Sequence, residues 1–543
     1  MPAPESLAVK LKNEGNALFA KKDYQAAHHK YSLAIKEDEK NAVLYANRAA
    51  CSQNLRKFLD ASADAKRATV LDSTYAKGWA RLAAAEASLG NEKDSIESWK
   101  KAIGCLPKEN QTPAEMKQKE QYQSELATVE RKLNRSENTR PQPTVVRQSE
   151  AVPWKRAAAM VAELRSRPGQ LTSSAFVILE AWNEWQEGMN TLNSQRNMPG
   201  GATMGNTGGL ESLTNAIVRD QRIFHMTHNF IGKYNNQVRL EAQTRNAWVE
   251  GGTEIIIPEV IKRQQLHGWD SVRPAITVTI RCFLMRGFME SHTRGNGAGG
   301  VEFVGRALEI LRWGHRTWKH VPQDDKGAIF SDSFMYGAHG LYLDILMQAC
   351  GGNQRKYLDM LHEEAQALLR SDVPNISPFL GPGFVASFTT YPRGTAYSMI
   401  GFYHSQTAEK LVASKSEDSA AIYQHFQDAA KAYGSAADCF SQDDEKHVWM
   451  LFCSLMNWYS CGATLKTTLP LMQKIRERLP GVKKIWDNAS LFKESARHFK
   501  RALDFEEDVQ KALDQGTVNM DSRVMPDDLK VRLPAGATSP TPV

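Results

Sequence analysis

The sequence predicts an all-α protein whose first quarter is a tandem array of helical pairs. Small residues recur there at a fixed interval of 34 positions, and apolar residues follow helical steps through most of the remainder. Two stretches rich in Gly and Pro, NMPGGATMGNTGG (197–209) and NISPFLGPGFVASFTTYPRG (375–394), interrupt the helical pattern and are expected as loops.

Ala27, Ala61 and Ser95 form one column of the repeat, and Ala34, Ala68 and Ala102 form another. Gly15, Ala49 and Ala83 make a third, Tyr31, Ala65 and Trp99 a fourth, and Pro107 closes the last unit. Small side chains at fixed offsets let paired antiparallel helices approach closely, both within a unit and between units. The pattern resembles the tetratricopeptide repeat (TPR), in three units at about 8–41, 42–75 and 76–109. Such pairs stack into a superhelix whose first helices line a concave groove. The Glu-, Gln-, Lys- and Leu-rich segment that follows, with Pro113 near its start, suits a long helix covering the apolar face of the last unit. NRSENTRPQPTVVRQSE then reads as a linker.

Five polar residues fall on first helices. Lys12 and Asn16 are four apart, as are Lys77 and Arg81, while Asn47 and Arg81 occupy one column in successive units. Arg grips a carboxylate bidentately, Lys supplies point charge and Asn supplies neutral amide donors, so a groove holding all five suits carboxylates. The plain alternative is a solvated surface, the usual fate of charged helix residues. The set "LKNEGN", "YANRAA" and "AKGWAR" resembles the carboxylate clamp of TPR co-chaperones, over roughly residues 5–135. That resemblance implies binding of the extreme C-terminal Glu-Glu-Val-Asp tail of the seventy- and ninety-kilodalton heat-shock chaperones. It also implies carboxylate-binding roles for Lys12, Asn16, Asn47, Lys77 and Arg81. Phe19, Tyr45 and Trp79 are candidate groove walls, although repeat spacing favours the core for them.

Beyond the linker no fingerprint is recognised. In AITVTIRCFLMRGFMES, Ile276, Ile280, Phe283, Leu284 and Phe288 keep a helical step, with Pro274 suiting a helix start. Val301, Val304, Leu308, Leu311 and Trp318 form the next stripe. FQDAAKAYGSAADCFSQ, KHVWMLFCSLMNWYSCGATL and SARHFKRALDFEEDVQKAL alternate small and large residues like degenerate repeat helices. The expected organisation is three TPR units with a capping helix at 5–135, a linker at 136–152, a helical region at 153–515 with a mobile loop at 195–210, and an extended or disordered tail at 516–543. The helical region is read as either a solenoid-like continuation or a separate domain.

Composition narrows the function. Across 543 residues the net charge of +7 is spread and mixed with acids, unlike the dense basic stripe of a nucleic-acid binder. Residues 448–465 are interrupted by Ser454, Asn457, Ser460 and Thr464, which favours a buried helix over a membrane span. No secretory signal is read at the N-terminus. Seven cysteines without paired or metal-ligand spacing fit a reducing compartment, and a cytoplasmic location is expected. GNGAGG (295–300) follows a helical segment and not a strand, so it is read as a helix–helix loop and not a nucleotide site. His225 with His228, His339 near Asp332, and Tyr391 with Arg393 and His404 show no metal or nucleophile spacing. No cofactor or metal is expected.

The favoured function is an interaction adaptor: chaperone tail in the groove, a second protein partner on the helical region, no nucleic acid and no membrane. The competing reading is an enzyme or ligand-binding helical domain that carries a TPR docking module. A weaker third gives the groove to another acidic or C-terminal peptide, such as an organelle-import sequence.

Overall fold

The computed structural model describes residues 6–138, 152–166, 172–198, 200, 203–227, 229–351 and 355–527. The repeat region forms α1 (Leu7–Ala20), α2 (Tyr24–Glu37), α3 (Ala42–Asn54), α4 (Phe58–Leu71), α5 (Ala76–Ser88) and α6 (Glu92–Gly104), followed by α7 (Pro113–Asn138). Each predicted unit is one helical pair. Ala27, Ala61 and Ser95 are buried, as are Ala34, Ala68 and Ala102, because these are the points of closest helix approach. Gly15 is such a point: a Cβ there would stand 2.8 Å from the Tyr31 ring.

Local chemistry starts the first helices. Ser6, Asp23 and Asn41 each accept a backbone N–H of their own helix, at Val9, Ala26 and Val43. Helix α7 opens with a reciprocal box: the Thr112 hydroxyl accepts from the Glu115 amide, and the Glu115 carboxylate accepts from the Thr112 amide at 2.8 Å. Its Tyr122, Leu126, Val129 and Leu133 then cover Trp99 and Ile96 of the third pair, with the Trp99 and Tyr122 rings 5.4 Å apart.

The chain continues as α8 (Pro153–Ser166), α9 (Ser174–Asn193), α10 (Gly209–Arg219), α11 (Phe230–Arg245), α12 (Thr253–Arg294), α13 (Gly297–Thr317), α14 (Gln323–Lys326), α15 (Asp332–Ala349) and α16 (Arg355–Arg370). After these come α17 (Pro382–Phe388), α18 (Thr390–Ala413), α19 (Ser419–Cys439), α20 (Glu445–Ser460), α21 (Leu465–Trp486) and α22 (Ser490–Asp514). The fold is all-α: a three-repeat TPR superhelix and a larger helical region. A two-residue antiparallel pairing of Arg196–Asn197 with Thr203–Met204, inside the glycine-rich stretch, is a small departure from it.

Contacts divide the chain into two compact units that do not follow sequence order. One contains the described residues of 1–144 and 235–328, the other those of 145–234 and 329–543. Residues 235–328, expected within one continuous helical region, therefore pack with the repeats. In the first unit α12 and α13 form a hairpin. Gly295, at φ 63°, ends α12, and Asn296 caps α13 by accepting from the Gly299 amide. Ile276, Ile280, Phe283, Leu284 and Phe288 are buried with Val304, Leu308 and Leu311, so both predicted stripes meet in one core. GNGAGG is accordingly the helix junction.

Two local expectations are corrected. Pro274 does not start a helix: α12 breaks at Gly268 (φ 69°), so Pro274 lies in the second turn after the break. Most of 375–394 is helical and not loop. After a 3₁₀ turn at Pro378–Leu380, Pro382 begins α17 and Thr390 begins α18, since the fixed φ of proline suits a first turn. In the second unit α18, α19 and α20 stack through small residues: a Cβ on Gly401 would stand 2.9 Å from the Tyr433 ring. The apolar stretch near 450 is α20, with Val448, Leu451, Leu455 and Tyr459 buried, and no helix among the described residues is long and apolar enough to cross a membrane. Residues 516–522 form turns against the start of α21, where the Leu465 amide donates to the Ser522 carbonyl. Most of the expected linker and the final sixteen residues of the tail lie outside the described residues.

Candidate functional site

The five sequence-predicted residues sit on three helices. Lys12 and Asn16 belong to α1, Asn47 to α3, and Lys77 and Arg81 to α5. Asn16, Lys77 and Arg81 are exposed, while Lys12 and Asn47 are half-buried. The two asparagines meet across the first and second units: Asn47 Nδ2 donates to Asn16 Oδ1 at 3.3 Å. The same oxygen accepts the Tyr31 hydroxyl at 2.7 Å. With Oδ1 holding two donors, the Asn16 amide is oriented with its Nδ2 donors left for another acceptor.

The three cations are unengaged among the described residues. No described residue forms a hydrogen bond or ion pair with Lys12, Lys77 or Arg81. Their neighbours differ sharply. Arg48, adjacent to Asn47, is spent on Asp64 through two 2.7 Å bonds and on Ser32 at 3.1 Å. Lys30 pairs with Glu14, and Lys101 lies 4.5 Å over the Trp79 ring. Arg81 lies close enough to Cys51, Tyr75 and Tyr122 to act on all three. Burial raises each of those groups, Cys51 to about 12, and the Arg81 charge opposes each rise. A region with three unpaired cations and an amide aimed outward is suited to hold an anion with hydrogen-bonding oxygens.

Phe19, Tyr45 and Trp79 are half-buried in the repeat packing, Phe19 against Ala27, Tyr31 and Cys51, and Trp79 against Leu82. The orienting role of Tyr31 was missed from sequence. The column Tyr31, Ala65, Trp99 was visible, but only as a packing position.

The other residues considered do not converge on an open site. In the second unit Arg222 is enclosed by Asp220 (2.6 Å), Asp444 (2.7 Å) and Glu445 (3.1 Å), with the Trp486 ring centroid 3.8 Å from the guanidinium. Tyr391 donates to Asp444 at 2.8 Å. Burial pushes Glu445 up to about 7, and Asp344, whose carboxylate accepts from Gln221, up to about 6. Asp444 and Asp220 have almost no exposed surface, so this polar set is closed to a substrate. His339 pairs with Glu364 at 2.7 Å, and His404 with His425 at 2.9 Å between Nδ1 atoms. His225 Nδ1 contacts the Ile223 carbonyl, and its ring stacks on Trp154 and Trp182. His228 lies outside the described residues. No group of three or more metal-ligating side chains occurs among the described residues.

No family model matches the chain. Small glutamine-rich tetratricopeptide repeat-containing protein 2 of Saccharomyces cerevisiae is 38% identical over 127 residues, which are 23% of this chain and 36% of that protein. Heat shock protein sti1 homolog of Schizosaccharomyces pombe is 45% identical over 85 residues, 16% of this chain and 14% of that protein. Among solved structures, the second TPR domain of human RPAP3, in complex with the HSP70 peptide SGPTIEEVD, is 27% identical and covers 23% of this chain and 95% of that one, with a TM-score of 0.20. The chain thus spans about a third or less of the curated relatives it matches. Its N-terminal quarter is a TPR module similar to those of co-chaperones.

Proposed function

We propose that Lys12, Asn16, Asn47, Lys77 and Arg81 form a carboxylate clamp for the C-terminal Glu-Glu-Val-Asp tail of heat-shock chaperones of the seventy- or ninety-kilodalton class. The chain then acts as a cytoplasmic adaptor, recruiting the chaperone to a second protein bound by the C-terminal helical region. In this reading it is not an enzyme and needs no cofactor.

The observation that carries the proposal is a contrast. Among the described residues Lys12, Lys77 and Arg81 have no partner, while nearby Arg48 and Lys30 are paired with acids. Unpaired cations can turn toward a ligand without breaking an internal bond, at the cost only of hydration and side-chain freedom. Each charge-assisted bond to the tail contributes about 1.5–3 kcal/mol. A short peptide held by several of them, after its immobilisation, binds at roughly micromolar strength. The polar cluster around Arg222 is closed, which favours the adaptor reading over an enzyme built on that cluster.

The test is calorimetric titration of the full chain with a peptide ending in Glu-Glu-Val-Asp and with its C-terminally amidated counterpart. Binding of the first alone is expected, and it should vanish in the Lys77→Ala/Arg81→Ala double variant. Equal binding of both peptides, or an unchanged double variant, would give the groove to another ligand.

A further inference from the structure

The start of each second helix occupies one repeat column, at Asp23, Lys57 and Asn91. Asp23 caps α2 by accepting from the Ala26 amide at 3.1 Å. Lys57 and Asn91 make no such bond to α4 and α6. A helix start leaves several N–H groups without partners, and an uncapped start frays.

At α4 a missing partner comes from α13, and at the third unit α12 and α13 serve the end of α5 instead. The Leu59 amide, in the first turn of α4, donates to Glu302 Oε1 at 3.0 Å in a buried setting. Glu302 is held there by Arg306, at 3.3 Å. At the third unit, Arg294 Nη1 donates to the Gly90 carbonyl at 2.9 Å, and Asn296 Nδ2 to the Ser88 carbonyl at 3.4 Å, satisfying acceptors at the end of α5. Arg286 donates to the Asn91 side chain, which therefore does not turn back to cap α6. The segment entering α12 reaches the other units too. Glu254 pairs with Lys57 of the second unit at 3.2 Å and lies 3.3 Å from the buried His28 ring of the first. One hairpin therefore contacts all three repeats.

The five groove residues are distributed over those same three repeats, so their mutual spacing depends on the angles between units. We propose that the α12–α13 hairpin is a brace that caps the second and third repeats in trans and so holds the groove residues in register. The binding half of this rests on the function proposed above. Any loosening of the brace populates repeat angles in which the five residues no longer converge, and apparent affinity falls by the fraction lost.

The experiment uses the full chain and the Glu302→Ala variant, with Lys57→Ser added as a rescue, because serine caps a helix start on its own. Lys66→Ala, which breaks only the exposed pair with Glu250, is the control. Hydrogen exchange at the first-turn amides of α4 and calorimetric titration of the Glu-Glu-Val-Asp peptide are read together. In Glu302→Ala we expect exchange about fivefold faster at Leu59, the size of a lost cap, with α1 and α2 unchanged. Peptide affinity should fall about two- to fivefold, and Lys57→Ser should restore the exchange but not the affinity, because a local cap does not replace the hairpin's hold on the repeats. Unchanged exchange overturns the brace, and faster exchange with unchanged affinity overturns its link to the groove. If the unaltered chain binds no peptide, the proposed function fails, and capping by the hairpin stands or falls on the exchange result.

Discussion

Asn16→Asp separates the groove's chemistry from its architecture. In the structure Asn16 Oδ1 accepts from Tyr31 at 2.7 Å and from Asn47 at 3.3 Å. Aspartate is isosteric and can accept both bonds, so the contacts between the first two repeats persist. What changes is the other side of the group. The Nδ2 donors become a second oxygen carrying negative charge. A bound carboxylate then loses one charge-assisted bond, about 1.5–3 kcal/mol. It also meets a like charge at close range, worth about 4 kcal/mol at 4 Å for an effective dielectric constant of about 20. Together these exceed 5 kcal/mol in rough terms, which moves a micromolar complex beyond the millimolar range. The assay is calorimetric titration of the variant with the tail peptide, alongside a thermal melt. We expect an unchanged melt and no detectable binding. Affinity within threefold of the unaltered chain would refute the assigned orientation of Asn16 and, with it, the clamp.

Two further predictions concern buried charge. Asp60, on α4, is buried against Gly252, and neither of its carboxylate oxygens has a hydrogen-bond partner. Burial pushes its carboxyl up to about 7 from 3.8, opposed by Arg306 and reinforced by Glu254 and Glu302. Folded Asp60 therefore holds its proton where the unfolded chain has released it, so its contribution to stability falls as pH rises from about 4 to 7. Asp60→Asn should accordingly stabilise the protein near pH 8 by on the order of 1 kcal/mol or more and make no difference near pH 4. Melts at both pH values check this, and an equal effect at both would defeat it. Arg222→Met should cost about 3–5 kcal/mol in urea unfolding, because Asp220 and Asp444 would stay buried without their countercharge. A loss below about 1 kcal/mol would mean that the cluster relaxes to water.

The repeat architecture was legible in sequence because close helix packing tolerates only small side chains at its contact points. Ala27, Ala61 and Ser95 thus keep their interval, and the helices follow. The shared faces of the five candidate residues could be read for a related reason: a four-residue step fixes a helix face, and a 34-residue step fixes a column. The helical nature of the larger region came from apolar period alone. The stretch at 375–394 was misjudged because its prolines, read as loop markers, instead start helices. Other properties depended on partners far away in the chain, which no local pattern encodes. Sequence could not tell that Arg48 is spent on Asp64 while Arg81 has no partner among the described residues, or that Tyr31 fixes the Asn16 amide. Nor could it show that residues 235–328 join the repeats, or that Glu302 caps α4 from 243 positions away. Periodicity records what a helix buries. Which charges remain unpaired, and which helix ends are capped in trans, is decided only when distant segments meet.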